Sequence, residues 1–144
     1  MPELSDYSLV EREVRISDAS RIDLVLSGPA TTCYVEVKNA TMAAGSTAAA
    51  FPDSVTARGA KHLRELMRLQ AEGKRALLFF CVSREHALSV EPADAIDPHY
   101  GSLLREAVAV GVEVLAYACA ITPEGVGLAR RVSLRLPQLG SSNG

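Results

Sequence analysis

Seven consecutive apolar residues, Ala76-Leu77-Leu78-Phe79-Phe80-Cys81-Val82, constrain this fold more than any other stretch. A strand without a polar side cannot have a wet face, so it must lie inside a sheet covered above and below. The run is far too short to cross a bilayer. Residues 56–72 before it carry helical spacing, with Leu63, Leu66 and Met67 on one side, Lys61, Arg64 and Arg68 on the other, and Gly73 as a stop. A second helix is expected over 99–110, opened by Asp97-Pro98 and closed by Gly111, followed by a strand over 112–121. A turn at 123–125 leads to a last strand-like stretch over 126–136. Three strand-like segments, 9–16, 21–27 and 32–38, open the chain. The order predicts an α/β fold, a mixed β-sheet flanked by helices, with right-handed crossovers. The small-residue stretch 40–50 reads as a mobile loop, and 140–144 as a frayed tail after a domain spanning 1–139.

The second and third strands carry the chemistry. With a four-residue loop at Gly28 to Thr31, the antiparallel register pairs Leu26 with Cys33, Leu24 with Val35, Asp23 with Glu36, Ile22 with Val37 and Arg21 with Lys38. Alternation then gives one apolar face, Ile22, Leu24, Leu26, Cys33, Val35 and Val37, and one face with Asp23, Glu36, Arg21 and Lys38. Directly opposed carboxylates repel. A hard divalent cation such as Mg²⁺ or Mn²⁺ would offset that repulsion and leave positions for water and a phosphate oxygen. Lys38, two residues beyond Glu36, could orient the attacking water. Glu13 supplies a third acid on the preceding strand. The competing reading is a solvated face neutralised by Arg21 and Lys38.

A net charge of −2, from Lys+Arg 15 against Asp+Glu 17, excludes a wholly basic nucleic-acid coat, so DNA could be met only through a patch. Aromatic content of 5% without Trp argues against a base-stacking platform. Seven of the fifteen basic residues lie from Arg58 to Arg84, and a helix face bearing Lys61, Arg64 and Arg68 is spaced to follow a phosphate backbone. Glu65 and Glu72 interrupt that stripe and offer ion pairs instead. His62 beside it reads as a helix-surface or half-buried side chain, with a catalytic base as the alternative. Asp53 could cap a turn or reach the site; His86 and His99 receive no role. Cys33, Cys81 and Cys119 sit among apolar neighbours with no C-x-x-C pairing and read as reduced core thiols. Nothing near the start resembles a signal peptide, so a cytoplasmic protein without a membrane association is expected.

The runs Ser20-Arg21-Ile22-Asp23, Tyr34-Val35-Glu36-Val37-Lys38 with Thr41, and Phe51-Pro52-Asp53 through Thr56-Ala57-Arg58-Gly59-Ala60-Lys61-His62-Leu63 closely resemble the sugar fermentation stimulation protein (SfsA) family, as do Ile96 to Tyr100 and Gly111 to Tyr117. The resemblance implies a restriction-endonuclease-like, PD-(D/E)XK core in a bacterial cytoplasmic protein that binds DNA and is linked to regulation of maltose metabolism. It places the family's acids on Glu13, Asp23 and Glu36 and its lysine on Lys38, with Asp23 and Glu36 as metal ligands. DNA contacts fall to Arg21, Arg58, Lys61, His62, Arg64 and Arg68, either for metal-dependent cleavage or for non-catalytic regulation. The family's N-terminal OB-like half has no counterpart in this chain, Leu24 stands in place of the usual Phe, and Ser54 in place of Ala. A homo-oligomer is compatible with all of this.

Overall fold

The computed structural model describes residues 7, 9–17, 20–29, 31–84, 86–122 and 125–138, with backbone alone for 9, 10, 13–17, 20, 21, 120–122 and 125–129. The tail assigned to 140–144 lies outside them, as does part of the turn at 123–125. The elements run β1 (Leu9–Ser17), β2 (Ser20–Ser27), β3 (Thr32–Ala40), β4 (Met42–Ala43), β5 (Ala48–Phe51), α1 (Ala57–Ala71), β6 (Arg75–Val82), β7 (Ser89–Pro92), α2 (Pro98–Ala109), β8 (Glu113–Thr122) and β9 (Gly125–Leu134). They form a mixed sheet in the order β1-β2-β3-β6-β8-β9-β7-β5-β4. The pairs β3–β6 and β6–β8 are parallel, while β1–β2, β2–β3 and β8–β9 are antiparallel.

As its sequence requires, β6 is central and buried on both faces. Leu78, Phe80 and Val82 pack with Leu63, Leu66 and Leu69 of α1 and Tyr100, Leu104 and Ala107 of α2. Leu77 and Phe79 face the other way, into a cluster with Leu26, Cys33, Val35 and Leu115. The β2–β3 register agrees with the expected one from Ser27↔Thr32 to Leu24↔Val35, and Gly28 N–H donates to Thr31 O at 3.0 Å across the loop. Ile22 departs from simple alternation, because it packs into the helix-side cluster.

Two expectations are corrected. The 40–50 stretch is a β4–β5 hairpin in which β5 also pairs in parallel with β7, and Ala49 and Ala50 are buried. Small side chains are what let this strand lie close under the helix-side core, so composition that suggested looseness instead permits close packing. The stretch around Pro92 contains β7, which supplies that pairing. Cys81 and Cys119 form a disulfide across neighbouring strands with Cα atoms 6.1 Å apart, and only Cys33 is a free thiol among the described cysteines. Sequence separation concealed that β6 and β8 are adjacent. Burial pushes the Cys33 thiol up to about 11, which leaves it inert at neutral pH.

The helix N-termini are joined. Thr56 caps α1, its hydroxyl accepting from Gly59 N–H at 2.8 Å. Asp97 caps α2 through Tyr100 N–H at 3.0 Å and accepts Thr56 N–H at 2.9 Å with its other oxygen. A side chain at Gly59 would place Cβ 2.7 Å from Thr56 Cγ2 and 3.1 Å from the Tyr100 ring. Gly59→Ala should therefore lower stability by about 1–2 kcal/mol in urea melts, the overpacking cost of about 1–3 kcal/mol outweighing a helix-propensity gain near 1 kcal/mol. A stabilised variant would show that the helices do not approach this closely.

Candidate metal and phosphodiester site

β3 presents Glu36 and Lys38 two residues apart on the helix-side face. Their parallel partners on β6 are Leu78 and Phe80, which bury the surroundings. Asp23 comes from β2, where its Oδ2 accepts the Val37 N–H at 2.8 Å. In a continued antiparallel ladder that N–H would turn toward Ile22; the carboxylate takes it instead and is thereby fixed beside Glu36. From above, α1 lowers His62 into the same space. Its Nδ1 lies 2.5 Å from Glu36 Oε2 and 2.8 Å from Lys38 Nζ.

The solvated-face reading fails at Glu36, which is 1% exposed. Neither of its carboxylate oxygens has a partner in hydrogen-bond geometry, since the short approach of His62 is not aligned as one. A buried carboxylate left this way carries its full desolvation cost. Burial, with Asp23 adding and His62 opposing, accordingly pushes the Glu36 carboxyl above its ordinary range. Asp23 moves the other way: burial raises it, but the contact with Glu36, the Val37 N–H and the charges of Lys38 and His62 outweigh that and hold it low. The two acids are thus driven apart, as closely coupled carboxylates are. Burial pushes the Lys38 ammonium down, with Arg58 adding and the two acids opposing.

The remaining site candidates fall in different places. Glu13 lies on β1 between Arg12 and Val14, whose partners Leu24 and Ile22 flank Asp23. Arg21 is on β2 opposite Arg15; the side chains of Glu13 and Arg21 lie outside the described residues. Arg58 is exposed at the start of α1 and its charge reaches Lys38. Arg64 is exposed nearly two turns further along, and Lys61 is half-buried. Arg68 is engaged by Glu65 at 2.9 Å and Glu72 at 2.5 Å, so the interrupting acids cancel this end of the basic stripe. Asp53 is exposed in the bend before α1.

His62 is 12% exposed and points inward rather than along the surface. Its spacing from Leu63 and Leu66 puts it at the edge of the apolar stripe, a signal that weighed less than the adjacent Lys61. Sequence reasoning missed Tyr100, whose ring is buried against Phe51 at 5.3 Å and whose hydroxyl is also unpartnered. Burial, then the charges of Glu36 and Asp97, push that phenol above its ordinary value. A tyrosine within an apolar helix face gives no advance signal of such a role. Among the described residues, no group of three or more His, Cys, Asp or Glu side chains is arranged to hold a metal, and no helix is long and apolar enough to cross a membrane.

Residues 1–125 match the family described as Sugar fermentation stimulation protein RE domain. A sugar fermentation stimulation protein homolog from Pelobacter propionicus is 54% identical over 134 residues, 93% of this chain and 58% of that protein. A homolog of the same name from Geobacter sulfurreducens is 53% identical over 130 residues, 90% of this chain and 55% of its own length. The structure of Pyrococcus furiosus SfsA in complex with Ca²⁺ superposes with a TM-score of 0.85 at 29% identity, covering 94% of this chain and 58% of that one. The chain thus spans a little over half the length of these relatives.

Proposed function

Because the chain belongs to the sugar fermentation stimulation protein family, we propose that it is a restriction-endonuclease-like, PD-(D/E)XK domain that holds Mg²⁺ or Mn²⁺ between Asp23 and Glu36 and acts on DNA phosphodiester bonds. The observation that carries this reading is the Glu36 carboxylate, 1% exposed, approached by His62 but by no aligned hydrogen-bond donor, and set beside a second acid. That donor set fits a hard cation, which takes one or two protein carboxylates and fills its remaining positions with water and phosphate oxygen. The Ca²⁺ in the name of the Pyrococcus furiosus structure supports an oxygen-ligand site in the family.

A cation held there would polarise a phosphoryl oxygen and lower the pKa of the attacking water. Asp23, fixed by the Val37 N–H, and Glu36, backed by the buried wall of β6, would hold it. Lys38, on the same face, orients the attacking water and, with its pKa lowered by burial, can take up its proton. His62 Nδ1 holds the Lys38 amine in place at 2.8 Å. Arg58 at the N-terminus of α1 receives the phosphate, and Lys61 and Arg64 carry the backbone outward without reading sequence. Glu13 supports the acids from β1. The longer relatives are expected to grip DNA with a further OB-like part, and the link to sugar metabolism would be exerted through DNA.

Supercoiled plasmid incubated with Mn²⁺ or Mg²⁺ should be nicked by the parent chain and at least about 100-fold more slowly by Lys38→Ala, the usual scale for loss of a positioned acid–base group. Cleavage that survives the substitution overturns the role of Lys38. Salt-sensitive binding by the parent without cleavage under either ion would leave a non-catalytic DNA-binding regulator built on the same fold.

A further inference from the structure

A second polar feature lies beyond the ends of β3 and β6, outside the carboxylate site. Ser83 N–H donates to Ala40 O at 3.1 Å, so the chain leaving β6 stays attached to β3 just past Lys38. Across from it, Leu88 N–H donates to Thr47 O at 2.7 Å and ties the β6–β7 turn to the β4–β5 hairpin. Ala87 N–H closes the turn onto Arg84 O at 3.1 Å. Between these segments is a cleft of about 170 Å³ with the Ser46, Thr47, Ser83, Arg84 and His86 side chains around it. Its described lining residues bring hydroxyls, a guanidinium and an imidazole together.

That chemistry selects an anion with several acceptor oxygens. Hydroxyls donate one hydrogen bond each, and arginine offers a planar fork matched to phosphate. Size narrows the choice, because pockets that enclose whole small molecules measure about 300–1,000 Å³. This one suits a single phosphate group with part of its hydration. Its place is informative too. Ala49 of β5 packs in the same cluster as Ala40, Phe80 and Val82, which puts the cleft at the rim of the face bearing Glu36 and Lys38. Strand rise of about 3.3 Å per residue sets Ala40 roughly 13 Å beyond Glu36, so the cleft stands more than one phosphate spacing away from the carboxylates.

We propose that this cleft is a phosphate site, and, resting on the nucleic-acid reading above, that it takes a backbone phosphate further along the strand held at Asp23 and Glu36. Arg84 and His86 supply its charge and ring N–H, while Ser46, Thr47 and Ser83 fix the oxygens. The site accounts for an arginine outside the α1 stripe and a histidine with no other assignment.

The test compares the parent chain with Arg84→Ala/His86→Ala, two exposed positions at which truncation leaves the core intact. A 20-bp DNA duplex is titrated in EDTA across a KCl series, and inorganic phosphate is titrated separately against chloride at equal ionic strength while the Ser46, Ser83 and Arg84 amide resonances are followed. We expect the double variant to bind DNA about five- to tenfold more weakly at low salt, with a log–log salt slope shallower by about one, and to lose the saturable phosphate response. Unchanged slope and affinity would overturn the cleft while leaving the carboxylate site standing. A parent chain that binds inorganic phosphate through these residues but not the duplex would support a phosphate site, assign it to a small phosphate compound, and sink the DNA reading. Absence of a saturable phosphate response in the parent, with the duplex also unaffected, would overturn the proposal outright.

Discussion

Glu36→Gln is expected to stabilise the metal-free protein while abolishing its response to Mg²⁺ or Mn²⁺. In the parent the Glu36 carboxylate is almost wholly buried and without an aligned donor. An amide of the same shape removes the charge and offers an N–H₂ group to Asp23. Removing an unsatisfied buried charge is worth about 1–3 kcal/mol, which corresponds to roughly 3–10 °C in melting temperature for a domain of this size. A cation at one hundred times its dissociation constant should stabilise the parent by about 2.7 kcal/mol and the variant by nothing measurable. The sign of the pH dependence follows from the direction of the shift. Glu36 is raised when folded, so the native state binds more protons than the unfolded one at pH values above the ordinary glutamate value of 4.5. Metal-free parent protein should therefore gain stability on acidification from neutrality toward that value and lose it as pH rises through the folded pKa. The Gln variant should lack this component. Melting curves in EDTA and in 5 mM-scale Mg²⁺, taken between pH 5 and 8, decide it; a destabilised Gln variant would mean that the His62 contact is a net-favourable ion pair, and the cation reading would lose its main support.

How much of this could be read in advance depends on whether the cause was local. The β2–β3 hairpin was legible because Leu24, Leu26, Cys33 and Val35 share one face and a slip of one residue would reverse every side chain, with Ile22 the departure from that pattern. Its observed register from Leu24↔Val35 outward is the one alternation demands. The apolar run of β6 fixed a central, doubly covered strand, and Thr56 and Gly73 bounded α1 within a residue. Glu36 and Lys38 share a face by the same period-two argument.

What could not be read depends on distant pairing. The β4–β5 hairpin is held by β7, and a stretch of alanines, serines and glycine has no periodicity to reveal that. Cys81 and Cys119 meet only because β6 and β8 lie side by side. The inward turn of His62 depends on how α1 sits above β3, which periodicity indicates only to within one face of the helix. Asp97 was recognisable as a cap from its Pro98 neighbour, yet its second bond reaches 41 residues back to Thr56. That bond, invisible locally, connects the second helix to the site.

Asp97→Ala should consequently be the most damaging substitution outside the central strand. The residue is 4% exposed, and it satisfies two backbone donors at once. Loss of an N-cap costs about 0.5–2 kcal/mol, and the orphaned Thr56 N–H adds about 1–3 kcal/mol, so a total near 2–4 kcal/mol is expected in urea or thermal melts. The Thr56 N–H, helped by that of Tyr100 and opposed by burial, holds the Asp97 carboxyl below its ordinary range. The sign is now the reverse of that for Glu36. Unfolded chain binds the proton first, so this stability is present above the ordinary aspartate value of 3.8 and is lost as pH falls through the lower folded pKa. Asp97→Asn, which keeps an acceptor but no charge, should show a shallower acid limb; Asp23, also held low, maintains the remainder of the slope. Because Thr56 caps the helix that carries Arg58 and His62, Asp97→Ala should also weaken cation binding several-fold by loosening His62 over Glu36. If stability falls by the expected amount while cation affinity stays at the parent value, the clamp serves the two helices alone and the site is positioned by the β2–β3 hairpin.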